Sequence, residues 1–233
     1  MKPSRHNGND NSADTTRWDS YARRNDPSNP IVRLLLYDVL YRSCANLLKA
    51  AVFNEPISIL ELGCGPGYVA RRIAEQIPTK RLVVVDSSPA AIKISKTTLQ
   101  GLDCDVEGIE ADFFQMNLPE QFDLVYSNGV VEHFDDATRA RLLRIHADYV
   151  KDGGYCIVHV PTPTLSYTVS RTLLSWLNRW EHDDETPLPT ERLLSEVEQT
   201  GMKTLKVSYF WRHSYLTQVG TIARKTPLPQ KVM

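Results

Sequence analysis

Ile57-Ser58-Ile59-Leu60-Glu61-Leu62-Gly63-Cys64-Gly65-Pro66-Gly67 reads as a buried strand that runs into a tight turn. Its first half is mostly apolar, and three glycines alternate through the second. Glycine allows a sharp turn and lets a ligand approach the backbone without meeting a Cβ. Val69, Ile73 and Ile77 follow at helical spacing, so the turn opens a helix. The alternation repeats downstream. Arg81-Leu-Val-Val-Val-Asp86 is a second buried strand, and Ser88-Pro89 opens the next helix. Val106 to Ile109 predicts a weaker third strand and Phe122-Asp-Leu-Val-Tyr126 a fourth. Asp135 or Asp136 caps a helix carrying Leu142, Leu143, Ile145 and Val150, which Gly153-Gly154 is expected to end. Tyr155 to Val160 is a fifth strand.

Strands that alternate with helices predict an α/β fold. The expectation is a Rossmann-like, doubly wound and mostly parallel seven-stranded sheet with helices on both faces. After a helix over Glu191 to Thr200, the alternating Leu205, Val207, Tyr209 and Trp211 and a strand over Tyr215 to Ala223 predict an antiparallel edge hairpin. A chain of 233 residues suits one large domain, placed at 17–226. Within it, 17–55 are read as N-terminal cap helices, because Ile31, Leu34, Leu35, Val39, Leu40, Leu47 and Leu48 recur at helical spacing after Asn29-Pro30. Residues 1–16, rich in Asn, Asp, Ser and Thr, are expected to be a disordered arm, and 227–233 a tail.

Composition narrows the function. A net charge of -1 lacks the basic excess of a phosphate-backbone binder, which disfavours nucleic acid as partner. Cys44, Cys64, Cys104 and Cys156 form no C-x-x-C pair and read as free thiols of a reducing compartment. The N-terminus has no apolar signal core, and no run approaches a membrane span of roughly 20 residues, so a cytoplasmic protein is expected.

The glycine turn has competing readings. A phosphate-cradling P-loop needs Gly-Lys-Ser/Thr at the helix start, where Pro66-Gly67-Tyr68 stands. A dinucleotide fingerprint would place its third glycine at Tyr68. An ordinary glycine-rich turn between strand and helix stays open. E-x-G-x-G-x-G fits all four positions, and it resembles the first motif of class I S-adenosylmethionine-dependent methyltransferases. Asp86 closing the second strand, Ala111-Asp112-Phe113 after the third, Asp123 through Asn128-Gly-Val-Val-Glu132-His133-Phe134 at the fourth, and Lys151-Asp152-Gly153-Gly154 before the fifth resemble later motifs of that family, over residues 57 to 160. The resemblance implies S-adenosylmethionine as cofactor. It implies that Gly63, Gly65 and Gly67 line the methionine part and that Glu61 supports the ammonium group. Asp86, with Ser87 beside it, would hold the ribose, Asp112 and Phe113 the adenine, and the backbone around Asn128 would face the methionine end. Trp18 and Tyr21 look like the aromatic segment that lies over the cofactor in small-molecule members. The alternative for these aromatics is an anchor for the arm.

Methyl transfer displaces a neutral leaving group in line, so positioning and desolvation can supply much of the rate. A base is required where the acceptor arrives protonated. His133, at the carboxyl edge of the fourth strand, is the first candidate, with Glu132 competing, and His159 the second. The alternative for His133 is a structural role. His6, His146, His182 and His213 read as surface or structural. No N-P-P-Y motif, Pro-Cys nucleophile or catechol-type carboxylate cluster is present, and no metal is expected. Residues 161–190 are expected to form an acceptor-side insertion. Its helical stripe Leu165, Val169, Leu173, Trp176, Leu177 and Trp180 either packs on the sheet edge or covers an organic acceptor. Glu181-His-Asp-Asp-Glu185 reads as a solvated loop. The expected function is methyl transfer to oxygen or nitrogen of a small metabolite. The alternatives are an RNA or protein methyltransferase and a non-catalytic cofactor-binding partner subunit. The sequence leaves the oligomeric state open.

Overall fold

Strand β1 (Ile57–Leu62) is buried along its whole length. It pairs in parallel with β2 (Thr79–Asp86) on one side and β4 (Phe122–Asn128) on the other. In the computed structural model, which describes residues 11–177, 180, 184–212 and 216–226, the strand order is β3-β2-β1-β4-β5-β7-β6. Here β3 is Asp105–Glu110, β5 Val150–Pro161, β6 Met202–Arg212 and β7 Leu216–Lys225. The first five strands are parallel, while β7 runs antiparallel to both β5 and β6. This is the expected mostly parallel sheet with an antiparallel edge hairpin. What had been expected of residues 1–10, His182, His213 and 227–233 lies outside the described residues.

A strand's side chains alternate between faces, and both faces are covered here. Ile59, Leu82, Val84, Leu124 and Ile157 enter one core, shared with α3 (Asp38–Leu48), α4 (Tyr68–Gln76) and α5 (Pro89–Thr98). Leu60, Leu62, Val83, Val85, Val125 and Val158 enter the other, shared with α6 (Asp136–Tyr149) and α8 (Thr190–Glu198). Complete burial contributes about 1.5–3 kcal/mol for each such aliphatic side chain. Two-sided burial is why these strands read as continuous apolar runs. No described helix is long and apolar enough to cross a membrane.

Local chemistry sets the helix starts. Asn29 caps Ile31 N at 3.0 Å ahead of α2 (Pro30–Val32), Ser88 caps Ala91 N at 3.0 Å and Asp135 caps Thr138 N at 2.8 Å. Between α2 and α3 one wide π turn spans Arg33–Tyr37. α1 (Asn11–Arg24) begins inside the stretch read as a disordered arm. It docks because Asp19 accepts from Ser88 Oγ and from Ala90 N at the amino end of α5.

Two local expectations are corrected. Gly153-Gly154 does not end α6, which stops at Tyr149. The glycines lie inside β5, where the register against β4 shifts between Phe122 and Leu124 and Gly153 takes φ +76°. A glycine pair signals a strand irregularity as readily as a helix end. The insertion does hold a helix, α7 (Leu165–Trp176), anchored by buried Tyr167. Its stripe faces solvent, however, with Leu165, Val169, Leu173 and Trp176 all exposed.

Candidate active site

The sheet order reverses beside β1, because β2 and β3 extend one way and β4 starts on the other side. Parallel sheets bind ligands in the crevice at the carboxyl ends of strands around such a point. A partly open cavity of about 80 Å³ lies there. Gly63, Cys64, Gly65 and Pro66 form one wall, with Glu61 and Asn128 beside them. Trp18 and Tyr21 cover it from α1, and Leu36, Tyr37 and Leu40 reach it from the π turn and α3. His133, Glu185 and Gln218 complete the far side. A larger open hollow of about 870 Å³ includes Ser58, Arg81, Asp105 and Lys151, at the amino ends of the strands. Arg81 there pairs with Asp105, Glu107 and Glu120, and Lys151 with Asp123. It lacks the convergent glycine turn, so the smaller cavity is the candidate site.

Glu61 is 2% exposed, and its Oε1 accepts from Asn128 Nδ2 at 3.3 Å. Its Oε2 is buried with no hydrogen-bond partner among the described residues. Burial pushes its pKa up to about 8, against the neighbouring Tyr126 hydroxyl and the hydrogen bond from Asn128. A buried carboxylate oxygen without a donor is costly, and a cationic ligand group would relieve it. Gly65 completes the cradle. It holds φ +51°, a Cβ built on it would meet nothing within 4 Å, and its N–H donates to Asp86 Oδ2 at 2.9 Å. Asp86 Oδ1 accepts from Ser88 N at 2.9 Å, and burial raises its carboxyl pKa.

His133 ends a short 3-10 turn, Val131–His133. Its Nδ1 lies 3.1 Å from Asp184 Oδ2, and Asp184 Oδ1 accepts from Arg17 at 2.6 Å. Trp18 packs edge-on against the imidazole, with ring centroids 4.9 Å apart. The pairing with Asp184 places a proton on Nδ1. Burial pulls the imidazole pKa down. The Asp184 hydrogen bond and the charges of Glu132, Asp184 and Glu185 pull it up, and the net shift is upward. Histidine and arginine together hold Asp184 below the usual carboxylate range despite its burial.

A family profile described as a methyltransferase domain matches residues 59–154. A malonyl-[acyl-carrier protein] O-methyltransferase of Priestia megaterium is 26% identical over 119 residues, covering 51% of this chain and 41% of that protein. An uncharacterized methyltransferase of Mycobacterium bovis is 29% identical over 161 residues, covering 65% of this chain and 79% of its own. Residues 59–154 are a methyltransferase domain, and these likenesses support a class I S-adenosylmethionine-dependent methyltransferase. The fold agrees. The crystal structure of magnesium protoporphyrin IX methyltransferase from Synechocystis PCC 6803 with bound SAH superposes with a TM-score of 0.68 at 14% identity, covering 93% of this chain and 96% of that one.

In this methyltransferase the cavity brings together Glu61, Gly63, Gly65, Asn128, Trp18, Tyr21 and His133. The orphaned Glu61 oxygen and the open space over Gly65 fit the cofactor's methionine end. Other expected site residues stand off the cavity wall. Gly67 starts α4, and a Cβ there would press on Ser95 Cβ at 2.9 Å, so helix packing accounts for this glycine. Ser87 is exposed beside Asp86. Asp112 Oδ1 accepts from Phe114 N at 2.9 Å, and Phe113 packs against the second core. His159 is fully buried, bonded to Ser43 Oγ at 2.9 Å, and burial pulls its pKa down to about 3. His146 is also internal, held by Leu142 O and Ser127 Oγ. The free thiols Cys44, Cys64 and Cys156 are buried and Cys104 is partly so.

Sequence reasoning missed Asp184, Glu185 and Gln218. The first two belong to the run read as a solvated loop, yet Asp184 pairs inward and Glu185 is 6% exposed, accepting from Tyr167 Oη. Among the described residues Glu132, His133 and Glu185 hold candidate metal-ligand atoms within 4.8 Å of one another.

The cover makes a testable claim. A chain starting at Ala22 loses Trp18 and Tyr21, and we expect it to fold but bind S-adenosylhomocysteine about tenfold more weakly, which corresponds to about 1.4 kcal/mol. A chain starting at Ala13 keeps full affinity. Calorimetric titration of both decides it, and equal affinities would rule the cover out.

Proposed function

We propose that this methyltransferase moves a methyl group from S-adenosylmethionine to oxygen or nitrogen of a small organic metabolite. The carrying observation is the cavity itself: the buried Glu61 carboxylate and Gly65, with His133 lining the same space. S-adenosylmethionine supplies an electrophilic methyl on a positively charged sulfur. Glu61 binds its ammonium group, Gly63 and Gly65 admit its chain, and Asp86 accepts from the ribose hydroxyls. Asp112 and Phe113 receive the adenine. Trp18 and Tyr21 exclude water, and His133 takes a proton from an acceptor that arrives protonated. The malonyl-[acyl-carrier protein] O-methyltransferase that the chain resembles supports an organic acceptor over RNA. The net charge of -1 supports it too.

Two measurements test this. Labelled methyl uptake, screened over candidate metabolites, protein and RNA, should mark a metabolite; label in RNA or protein alone defeats the reading. Asp86→Ala should weaken S-adenosylmethionine binding about 10- to 100-fold, since charge-assisted hydrogen bonds contribute roughly 1.5–3 kcal/mol each. Unchanged affinity in a folded variant would remove Asp86 from the ribose site.

A further inference from the structure

We propose that Glu61 stands as a neutral acid in the empty cavity and gives up its proton to solvent when the cofactor's ammonium arrives, so that uptake of the donor releases a proton. The inference deepens the cofactor reading and rests on it. Glu61 is the next-to-last residue of β1, is 2% exposed and lines the cavity. A carboxylate taken out of water needs a cation or several donors to hold its charge. Among the described residues no lysine or arginine lines the cavity. His133 lines it, but the hydrogen bond and the charges that favour its protonated ring come from Asp184, Glu132 and Glu185.

The groups that face Glu61 are neutral or acidic. From β4 come the Asn128 amide, which donates to Oε1 at 3.3 Å, and the fully buried Tyr126 hydroxyl. From α3 comes the Cys44 thiol, 3.6 Å from Asn128 Oδ1, and from the glycine turn the Cys64 thiol. Burial pushes both thiols well up, so neither brings a charge. From β2 comes Asp86, whose negative charge opposes a second one. Burial and Asp86 outweigh the two neutral donors, and the Glu61 carboxyl keeps its proton up to about pH 8. An arriving ammonium reverses this, because a charge-assisted pair forms only with the ionised acid. The surplus proton then leaves to solvent. The sign for affinity follows. Below about pH 8 binding must expel a proton, so affinity falls with falling pH, by up to about tenfold per unit. Above that, the ligand's own amine, with an ordinary α-amino pKa of about 7.7–8.0, is neutral in solution and must gain a proton, so affinity falls again.

Calorimetry on the full chain counts these protons. The ligand is S-adenosylhomocysteine, which carries the same amino-acid end and no charge at sulfur. Titrations at pH 7 in phosphate and in Tris differ by the heat of protonating the buffer. Release of about 0.8 proton per site is expected, because Glu61 and the free amine are then both mostly protonated. At pH 9 both are mostly deprotonated, and the exchange should turn to uptake of about 0.8 proton. Glu61→Gln has no proton to give, and its release at pH 7 is expected to vanish. Binding by the wild type without release at pH 7 would overturn the proposal. So would a Glu61→Gln variant that releases as the wild type does, since the proton would then come from another group. Should Glu61→Gln fail to fold, His133→Ala decides: it is expected to keep the release, and its loss there would assign the proton to His133 instead. If the wild type does not bind S-adenosylhomocysteine at all, the cofactor reading falls and takes this inference with it.

Discussion

Gly65→Val is expected to leave the chain without useful cofactor affinity, a loss of at least about 100-fold, which corresponds to about 2.7 kcal/mol. Gly65 allows fold and ligand effects to be separated. A Cβ at Gly63 would strike Val130 Cγ2 at 2.5 Å, and one at Gly67 would strike Ser95 Cβ at 2.9 Å, so substitutions there injure packing first. At Gly65 a Cβ meets nothing within 4 Å, and the branched side chain projects into space that the cofactor needs. The backbone still resists, because φ is +51° there and a left-handed L-residue costs roughly 1–2 kcal/mol. Gly65→Ala carries the same strain with less bulk, so it calibrates that cost. Thermal melting should show both variants destabilised alike, while titration with S-adenosylhomocysteine should show valine far worse. Comparable affinities for wild type and Gly65→Val would remove this turn from the cofactor site.

His133→Ala is expected to lower turnover about 10²–10⁴-fold, the usual contribution of a general base, while cofactor binding stays largely intact. The pH profile separates base from scaffold. A base must be neutral to act, so the wild-type rate should fall as pH drops through its pKa. The Asp184 hydrogen bond and the neighbouring carboxylates favour the imidazolium more than burial opposes it. The acidic limb should therefore lie above the ordinary histidine value. His133→Ala should lose that limb, and Asp184→Asn should move it to lower pH by weakening the partner that holds the charged ring. A variant that keeps both wild-type turnover and the same limb would make His133 structural. His159 is a poor replacement, since it is fully buried against Ser43 and Phe210.

The elements that could be read from sequence are those whose signal is local. The β1 run and its glycines, Ser88 at the start of α5 and the apolar strand at Arg81–Asp86 each carry their reason within a few residues. Alternation predicts the parallel sheet but not the order of its strands. Asp184 was hidden for the opposite reason. In sequence it belongs to a charged run, and its meaning comes from Arg17, 167 positions away, and from His133, 51 positions away. No periodicity reports such a closure. Helical spacing likewise predicted α7 and its apolar stripe, but spacing describes a helix and not what lies opposite it. Val150 fitted a helical interval yet begins β5, where a β-branched side chain is equally at home.

The cover over the cavity also bears on the order of events in a catalytic cycle. As α1 stands, with Asp19 at the start of α5 and Arg17 on Asp184, the space of about 80 Å³ is far smaller than the 300–1,000 Å³ that ligand pockets usually span. A nucleoside donor needs more room than this, so seating one would call for α1 to shift at these contacts. Where Trp18 must lift to admit the donor, speed on this scaffold would depend on that step as well as on the reactivity of the sulfur.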